Sequence, residues 1–155
     1  MATGSQGEWM ESALKPEVTM QRVVMIAEDS QSVHTVRAVL ANPECEVLVA
    51  DNVPAGLELL RKPYVACLIV DCGVPELTRE MRHLLQYSAE IAGIPVLWIT
   101  PYGAREPLAQ ELGLSRLNLL PKPFTPLQLL ERVQQSIWIG PYVPGKAPMQ
   151  TANAF

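Results

Sequence analysis

The stretch "CLIVDCGVP", residues 67–75, carries an apolar run into a single carboxylate. The run has the length and composition of a buried strand, and Gly73 and Pro75 stop it. Asp71 therefore stands at the end of that strand, where an aspartate alone could simply form the next turn or cap the next helix. Its meaning depends on whether polar residues from other parts of the chain arrive at the same place.

Similar apolar runs alternate with amphipathic stretches along most of the chain. Several runs are apolar throughout, which is typical of strands in a sheet covered on both faces. Five such alternations predict parallel βαβ units and an α/β fold. The predicted strands are residues 22–27, 46–50, 66–70, 94–100 and 117–120, and the predicted helices are residues 32–41, 53–62, 76–89, 105–112 and 125–138.

Local signals mark several helix ends. Ser30 is predicted to cap the first helix, and Thr125 with Gln128 forms the pattern of a capping box at the start of the last. Gly113 suits the left-handed turn that ends the fourth helix. Residues 1–20 show no sustained period and are predicted to be an extension, residues 21–138 the domain, and residues 139–155 a tail rich in proline and glycine.

Composition excludes several classes of function. Hydrophobic residues make up 48% of the 155, enough for a full core, and the net charge of −4 has no basic block of the kind that binds nucleic acid. No apolar run approaches the roughly 20 residues that span a bilayer, and the first residues do not form a secretory signal. The three cysteines lack metal or disulfide spacing, so a cytoplasmic protein is expected. His34 and His83 are predicted to be surface residues.

Polar residues end or follow all five predicted strands, but Asp51, after the second, would lie at the margin of the sheet in a two-first strand order, away from the other four. Parallel strands place their carboxyl ends at one edge of the sheet, where ligands of open α/β sheets bind. Each residue alone has a simpler interpretation as a cap, a turn former or a solvated lysine. Taken together they predict a site at that edge, formed by Glu28, Asp29, Asp71, Thr100 and Lys122.

The chemistry of this set points to a metal and a phosphoryl group. Three crowded carboxylates repel one another and favour a cation. Hard oxygen ligands from few protein groups suit Mg²⁺, which keeps several waters and shares its sphere with phosphate. Hydroxyl and ammonium donors beside it suit phosphoryl oxygens.

The chain resembles the receiver domain of bacterial two-component response regulators, of the chemotaxis type. The resemblance covers residues 22–138 and rests on "IAEDS", "LIVDCGVP", "LWITPYG" and "LLPKPF" in that order. It implies a flavodoxin-like (βα)5 doubly wound sheet with strand order 2-1-3-4-5 and a cis Lys122–Pro123 bond. It further implies a phosphoacceptor at Asp71, Mg²⁺ held by Asp29, Asp71 and the Gly73 carbonyl with Glu28 reaching it through water, and phosphoryl oxygens bound by Thr100 and Lys122.

The sequence departs from the resembled family at functional positions. Leu119 stands where an aromatic residue is frequent, and Pro101 follows Thr100 where a small residue with a free N–H is usual. Glu28 replaces an aspartate, and the segment after Pro75 lacks the frequent Asp-Gly pair.

Two functions of different classes follow. The first is a stand-alone receiver that takes a phosphoryl group from a histidine kinase, a phosphotransfer protein or a small acyl phosphate. It assists its own phosphorylation and dephosphorylation and signals by protein contacts, with a homodimer as one candidate. The second is a receiver-fold module that binds partners without phosphoryl control. A flavin-binding flavodoxin is rejected, because "EDSQSV" is too acidic for a phosphate cradle.

Overall fold

Five parallel strands form one sheet in the order β2-β1-β3-β4-β5. The computed structural model describes residues 20–101, 103 and 105–139. The strands are β1 (Gln21–Ile26), β2 (Cys45–Ala50), β3 (Val65–Asp71), β4 (Val96–Thr100) and β5 (Leu119–Pro121). This confirms the flavodoxin-like fold and the strand order expected from the resemblance.

Five α-helices connect or follow the strands. They are α1 (Ser30–Leu40), α2 (Val53–Leu59), α3 (Arg79–Ala92), α4 (Arg105–Leu112) and α5 (Pro126–Ile139), and a 3₁₀ turn at Arg116–Asn118 precedes β5. None of the described helices is long and apolar enough to cross a membrane. The predicted extension and tail lie outside the described residues, apart from Met20 and Ile139.

The core consists of two apolar layers, one on each face of the sheet. Alternate residues of β1 and β3 point to opposite faces, as the pleat of a strand requires. One layer packs the sheet against α2, α3 and α4, and it includes Val24, Leu68, Trp98, Leu85 and Leu108. The other packs it against α1 and α5, and it includes Val23, Cys67, Leu97, Val36 and Leu129. Burial on both faces explains why the strand sequences are apolar without alternation.

Helix ends follow local hydrogen bonding, and the predicted starts of two helices were wrong. The N-cap of α1 is Asp29 and not Ser30, because the Asp29 carboxylate accepts from the backbone N–H of Gln31. α3 begins at Arg79, later than predicted, because Thr78 caps it and accepts from Met81 N–H. Before that cap, Glu76 has φ 65°, which no helix tolerates.

Other predicted ends are confirmed. Thr125 Oγ1 accepts from Gln128 N–H while Gln128 Oε1 accepts from Thr125 N–H, which is a reciprocal capping box. Gly113 has φ 64°, and the Lys122–Pro123 bond is cis. β5 is shorter than predicted, because Arg116–Asn118 forms the 3₁₀ turn. His34 and His83 are both exposed.

A hydrogen-bonded chain links the centre of the sheet to the surface of α3. The indole Nε1–H of Trp98, which is fully buried on β4, donates to Gln86 Oε1 at 2.9 Å. Gln86 Nε2 in turn donates to Glu90 Oε1 at 3.0 Å. A buried indole N–H needs such a partner, and here α3 supplies it.

Candidate functional site

Asp71 is the last residue of β3 and is only 1% exposed. Both carboxylate oxygens have a donor. Oδ1 accepts from the backbone N–H of Gly73 at 2.9 Å, and Oδ2 accepts from Lys122 Nζ at 3.0 Å. A carboxylate so deep in the protein must be hydrogen-bonded and paired, and these two donors meet that requirement.

The turn after Asp71 is built around Gly73. A Cβ on Gly73 would lie 3.3 Å from Asp71 Oδ1, tighter than side chains normally allow. The missing side chain thus lets the backbone approach the carboxylate closely. Val74 N–H also donates to the Asp71 carbonyl at 3.1 Å, which closes the turn.

Lys122 follows β5 and joins two of the predicted site residues. Its Nζ lies 3.0 Å from Asp71 Oδ2 and 3.6 Å from Asp29 Oδ2. Its backbone N–H donates to the Thr100 carbonyl at 2.8 Å, which extends the pairing of β4 and β5 by one residue. The lysine is therefore anchored beside β4 while its ammonium lies between two carboxylates contributed by β1 and β3.

Asp29 caps α1 and also forms part of the site. Its oxygens accept from Gln31 N–H at 3.0 Å and from Ser32 Oγ at 2.9 Å. These bonds, Ser32 first, lower the pKa of the Asp29 carboxyl, and the charge of Lys122 lowers it further. Asp29, whose side chain is exposed, is therefore fully ionised at neutral pH.

The third predicted carboxylate, Glu28, is exposed, as is Asp29. Within the described part of the chain, no group of three or more His, Cys, Asp or Glu side chains is arranged to hold a metal ion. The positive charge between Asp29 and Asp71 comes from Lys122.

The donor set nevertheless fits Mg²⁺. This ion commonly takes one or two carboxylates from a protein and completes its octahedron with waters and phosphate oxygens. Asp29 and Asp71 share one cationic neighbour, so a single positive centre can interact with both. Hard oxygen ligands in that number suit Mg²⁺ better than a transition metal.

Thr100 ends β4 and is fully buried. Its Oγ1 has no hydrogen-bond partner among the residues that the structure describes. Buried hydroxyls without partners are uncommon, because each costs roughly 1–3 kcal/mol. The hydroxyl is therefore a donor available to a group that is not part of the described chain.

A cleft of about 250 Å³ adjoins Thr100 between α3 and α4. Arg82 and Glu111 form part of its wall and are joined by a two-pronged ion pair, with Nε to Oε2 at 2.7 Å and Nη2 to Oε1 at 2.6 Å. Arg82 Nη1 also donates to the Leu77 carbonyl. The pair ties the helix after β3 to the helix after β4. The remaining lining residues are Cys72, Pro101, Pro107 and Leu108.

The ion pair of Arg82 and Glu111 was not predicted from the sequence. Arg82 precedes the buried residues Leu85 and Gln86 by three and four positions, so it lies toward the inward face of α3. A charged residue at such a position requires a partner, and this was the available signal. The partner itself is 29 positions away and no local pattern names it.

Cys72 lies directly after Asp71 and lines the same cleft. Burial raises the pKa of its thiol to about 12, and the neighbouring Asp71 carboxylate adds to that effect. The thiol is therefore protonated at neutral pH and is a poor nucleophile. Of the neighbouring side chains Asp71 and Cys72, Asp71 is therefore the candidate nucleophile.

Comparison with known proteins defines the class of fold. No family model matches the sequence, and no curated protein matches it. A putative response regulator from Chloroflexus aurantiacus J-10-fl superposes with a TM-score of 0.64 and 21% identity, over 77% of this chain and 98% of that one. A response regulator receiver domain protein from Clostridium thermocellum gives 0.61 and 22%, over 76% and 94%.

A third match is full-length FixJ from B. japonicum. Its TM-score is 0.63 and its identity 22%, over 77% of this chain and 58% of that protein. The class is thus the doubly wound, flavodoxin-like α/β proteins. Within it, the fold of this chain is that of response-regulator receiver domains, and at these identities the likeness establishes the fold.

Proposed function

We propose that this chain is a stand-alone receiver that accepts a phosphoryl group on Asp71. One observation carries the proposal: a carboxylate at the end of the central strand, 1% exposed, has a lysine ammonium 3.0 Å from one oxygen and a backbone N–H 2.9 Å from the other. Positive charge and a fixed donor beside a carboxylate are what a phosphoryl transfer requires, because most of its catalysis is positioning and charge stabilisation.

The transfer itself forms one bond and breaks one. A carboxylate oxygen of Asp71 attacks phosphorus and forms a mixed anhydride. The bond between phosphorus and the donor nitrogen of a phosphohistidine breaks, and its electron pair stays on the imidazole. With a small acyl phosphate as donor, the electron pair stays on the departing carboxylate oxygen.

Lys122 has one role before the phosphoryl transfer and another after it. Before transfer it neutralises Asp71, and in doing so it covers the nucleophile. When the phosphoryl group arrives, the ammonium shifts from the carboxylate to a phosphoryl oxygen, where the added charge is. The flexible stem of a lysine permits this shift with little disturbance of the backbone.

Thr100 supplies a second donor for the phosphoryl oxygens. Its buried hydroxyl lacks a partner among the described residues, so it breaks no hydrogen bond to them when it donates to a phosphoryl oxygen. Such a bond would therefore remove the free-energy cost of the unpaired hydroxyl. This favours a state in which Thr100 turns toward Asp71.

Asp29, Asp71 and the Gly73 carbonyl would hold Mg²⁺, with Glu28 reaching it through a water molecule. The ion would supply charge neutralisation for the transferred group. Asp29 is ionised and fixed by Ser32 and Gln31, so it is ready as a ligand. Attack of water on the phosphorus at the same site would return Asp71 to the free carboxylate and release inorganic phosphate.

The proposed partners are a histidine kinase or phosphotransfer protein as donor and an unidentified protein as target, in the bacterial cytoplasm. The second candidate function is a receiver-fold module that binds partners without phosphoryl control. Leu119, which stands where the resembled family often has an aromatic residue, and Pro101, which has no N–H to donate to a phosphoryl oxygen, favour it.

The test is incubation with acetyl phosphate and Mg²⁺ followed by intact-mass measurement. We expect an adduct of one phosphoryl group that disappears in Asp71→Asn and persists in Asp51→Asn. Asp51 is a matched control, since it directly follows the edge strand β2 and is exposed. No adduct on the wild-type chain, with either acetyl phosphate or phosphoramidate, would favour the second candidate.

A further inference from the structure

A serine lies on the buried face of α1. The buried residues of this helix are Ser32, Val36 and Leu40, which follow one another at intervals of four. Such a stripe is normally apolar, because a buried hydroxyl costs free energy unless it is hydrogen-bonded. Ser32 is only 4% exposed, and its Oγ lies 2.9 Å from Oδ2 of Asp29. Because an ionised carboxylate can only accept, the serine hydroxyl is the donor.

This bond does not cap the backbone of α1. A cap pairs the free N–H groups of the first turn, and Asp29 does so with its other oxygen, Oδ1, which accepts from Gln31 N–H at 3.0 Å. In a capping box, the side chain at the third helical position bonds to the backbone N–H of the cap residue. Ser32 is at that position but donates to the carboxylate of the cap, so the bond pairs no further backbone N–H. Its direct effect is on the orientation of the carboxylate.

Two donors on different oxygens fix the Asp29 carboxylate. The last torsion of an aspartate side chain is broad, so a single bond to Oδ1 would leave Oδ2 several directions. The bond from Ser32 holds Oδ2 in one of them. That same oxygen lies 3.6 Å from Lys122 Nζ, which in turn lies 3.0 Å from Asp71 Oδ2. Ser32 thus holds Asp29 with one oxygen turned toward the cationic position that it shares with Asp71.

We infer that Ser32 is a positioning residue for the Mg²⁺ site, whose hydroxyl orients Asp29 as a ligand and so raises the affinity of the protein for the ion. The inference rests on the proposed function, which makes Asp29 and Asp71 the ligands. An ionised carboxylate has about four lone-pair sites, and the two donors leave the others to a metal. Removing a hydrogen bond to a ligating side chain typically lowers metal affinity about 10- to 100-fold. The lower end applies here, because Asp29 is exposed and water can replace part of the bond.

The first experiment titrates the full, unphosphorylated chain with Mg²⁺ and follows amide shifts by NMR. The dissociation constant of Ser32→Ala should be about tenfold higher than that of the wild type. Ser136→Ala is the matched control, and it should leave the constant unchanged. Ser136 is 3% exposed on α5, which packs on the same face of the sheet as α1, and its hydroxyl has no partner among the described residues.

Asp29→Asn gives the scale of the effect. Asparagine still caps a helix, but it removes the charged ligand. This variant should therefore bind Mg²⁺ more weakly than Ser32→Ala does, because the serine acts only through the carboxylate.

The second experiment separates orientation of Asp29 from folding, by urea unfolding with and without Mg²⁺. A purely structural role of Ser32 would lower the free energy of unfolding equally in both conditions. If Ser32 orients the ligand, the additional stability that Mg²⁺ confers is smaller in Ser32→Ala than in the wild type. At concentrations well above both dissociation constants, a tenfold difference in affinity reduces that increment by about 1.4 kcal/mol.

The inference is overturned if Ser32→Ala binds Mg²⁺ as tightly as the wild type, if Ser136→Ala loses as much affinity, or if the Mg²⁺ increment in stability is unchanged. Each of these outcomes leaves the proposed function standing when the wild-type chain still gains a phosphoryl group from acetyl phosphate. A wild-type chain whose amide shifts do not respond to Mg²⁺ would instead overturn the inference together with the proposed metal site.

Discussion

The ammonium of Lys122 lies 3.0 Å from Oδ2 of Asp71, across 51 positions of sequence. Replacing Lys122 with methionine keeps most of the unbranched stem of the side chain and leaves a buried carboxylate without its cation. We expect the free energy of unfolding to fall by about 1–3 kcal/mol in urea titrations, less than the roughly 3–5 kcal/mol for a fully buried pair, because Lys122 is half-buried.

The same substitution should cost less than about 1 kcal/mol in an Asp71→Asn background, where only the exposed Asp29 remains to be paired. Lys62→Met is the control, because Lys62 is exposed, and it should change stability by about 0.5 kcal/mol or less. Equal losses in both Asp71 backgrounds would show that Lys122 stabilises the fold in some other way.

The second prediction concerns Pro101, which has no backbone N–H to offer a phosphoryl oxygen. A charge-assisted hydrogen bond contributes roughly 1.5–3 kcal/mol. Pro101→Ala restores the donor, so beryllofluoride, a mimic of the phosphoryl group, should bind about ten- to a hundredfold more tightly by calorimetry in the presence of Mg²⁺. The phosphoryl group on Asp71 should also persist longer.

Pro107→Ala is the comparison for this variant, because Pro107 lines the same cleft and belongs to the first turn of α4. It should leave beryllofluoride affinity unchanged. If Pro101→Ala binds no more tightly than wild type, the missing N–H is not what limits the phosphorylated state.

A third prediction follows from the ion pair of Arg82 and Glu111. Hydrogen bonds from Arg82, followed by its charge, lower the pKa of the Glu111 carboxyl from its ordinary 4.5. The pair therefore contributes stability above about pH 4.5 and loses it as the pH falls through the lowered pKa. The side chains are 25% and 17% exposed, so Arg82→Ala should cost about 1–2 kcal/mol at pH 7.

That cost should shrink as the pH falls below 4.5, while the pH profile of an Arg61→Ala variant should follow that of the wild type. Arg61 and Glu58 form a pair that is 79% and 75% exposed at 3.7 Å, so its contribution is at most a few tenths of a kcal/mol. A pH-independent cost for Arg82→Ala would assign the effect to packing of the arginine stem rather than to charge.

The fourth prediction concerns Gly56 in α2. A Cβ there would lie 2.5 Å from Cγ1 of Ile26 and nearer still to its Cδ1. Gly56→Ala should therefore destabilise the protein by about 1–3 kcal/mol, although the same change in an unobstructed helix stabilises. Ile26→Val removes the terminal methyl and should recover part of the loss, as thermal unfolding of the double variant will show.

Much of the fold could be predicted because its signals are local and repeated. Apolar runs of strand length alternate with amphipathic stretches, and that alternation leaves few topologies open. Residues at strand ends could be placed together for the same reason, and Lys122 and Asp71 do meet. Helix starts were harder, since Asp29 and Ser30 are both good caps and only the backbone geometry decides between them.

What could not be predicted depends on tertiary packing. The arrangement of Arg82 with Glu111 joins two helices whose mutual position no short pattern encodes. Glu28 looked equivalent to Asp29 in sequence, and both are exposed, but it is Asp29 that caps α1 and lies 3.6 Å from Lys122 Nζ. Strand ends identify the edge of the sheet, whereas the direction of each side chain at that edge is set by the turn that follows.

The hydrogen bond from Trp98 Nε1 to Gln86 Oε1 makes the indole proton of Trp98 a natural NMR probe of this protein. An indole proton that is buried and hydrogen-bonded exchanges with solvent only when the structure opens locally. In deuterated water the proton of Trp98 should therefore outlast exposed amide protons in NMR spectra. Its chemical shift reports on the contact between β4 and α3, so an event at Thr100 or at Glu90 can be followed at a single atom without any label attached to the chain.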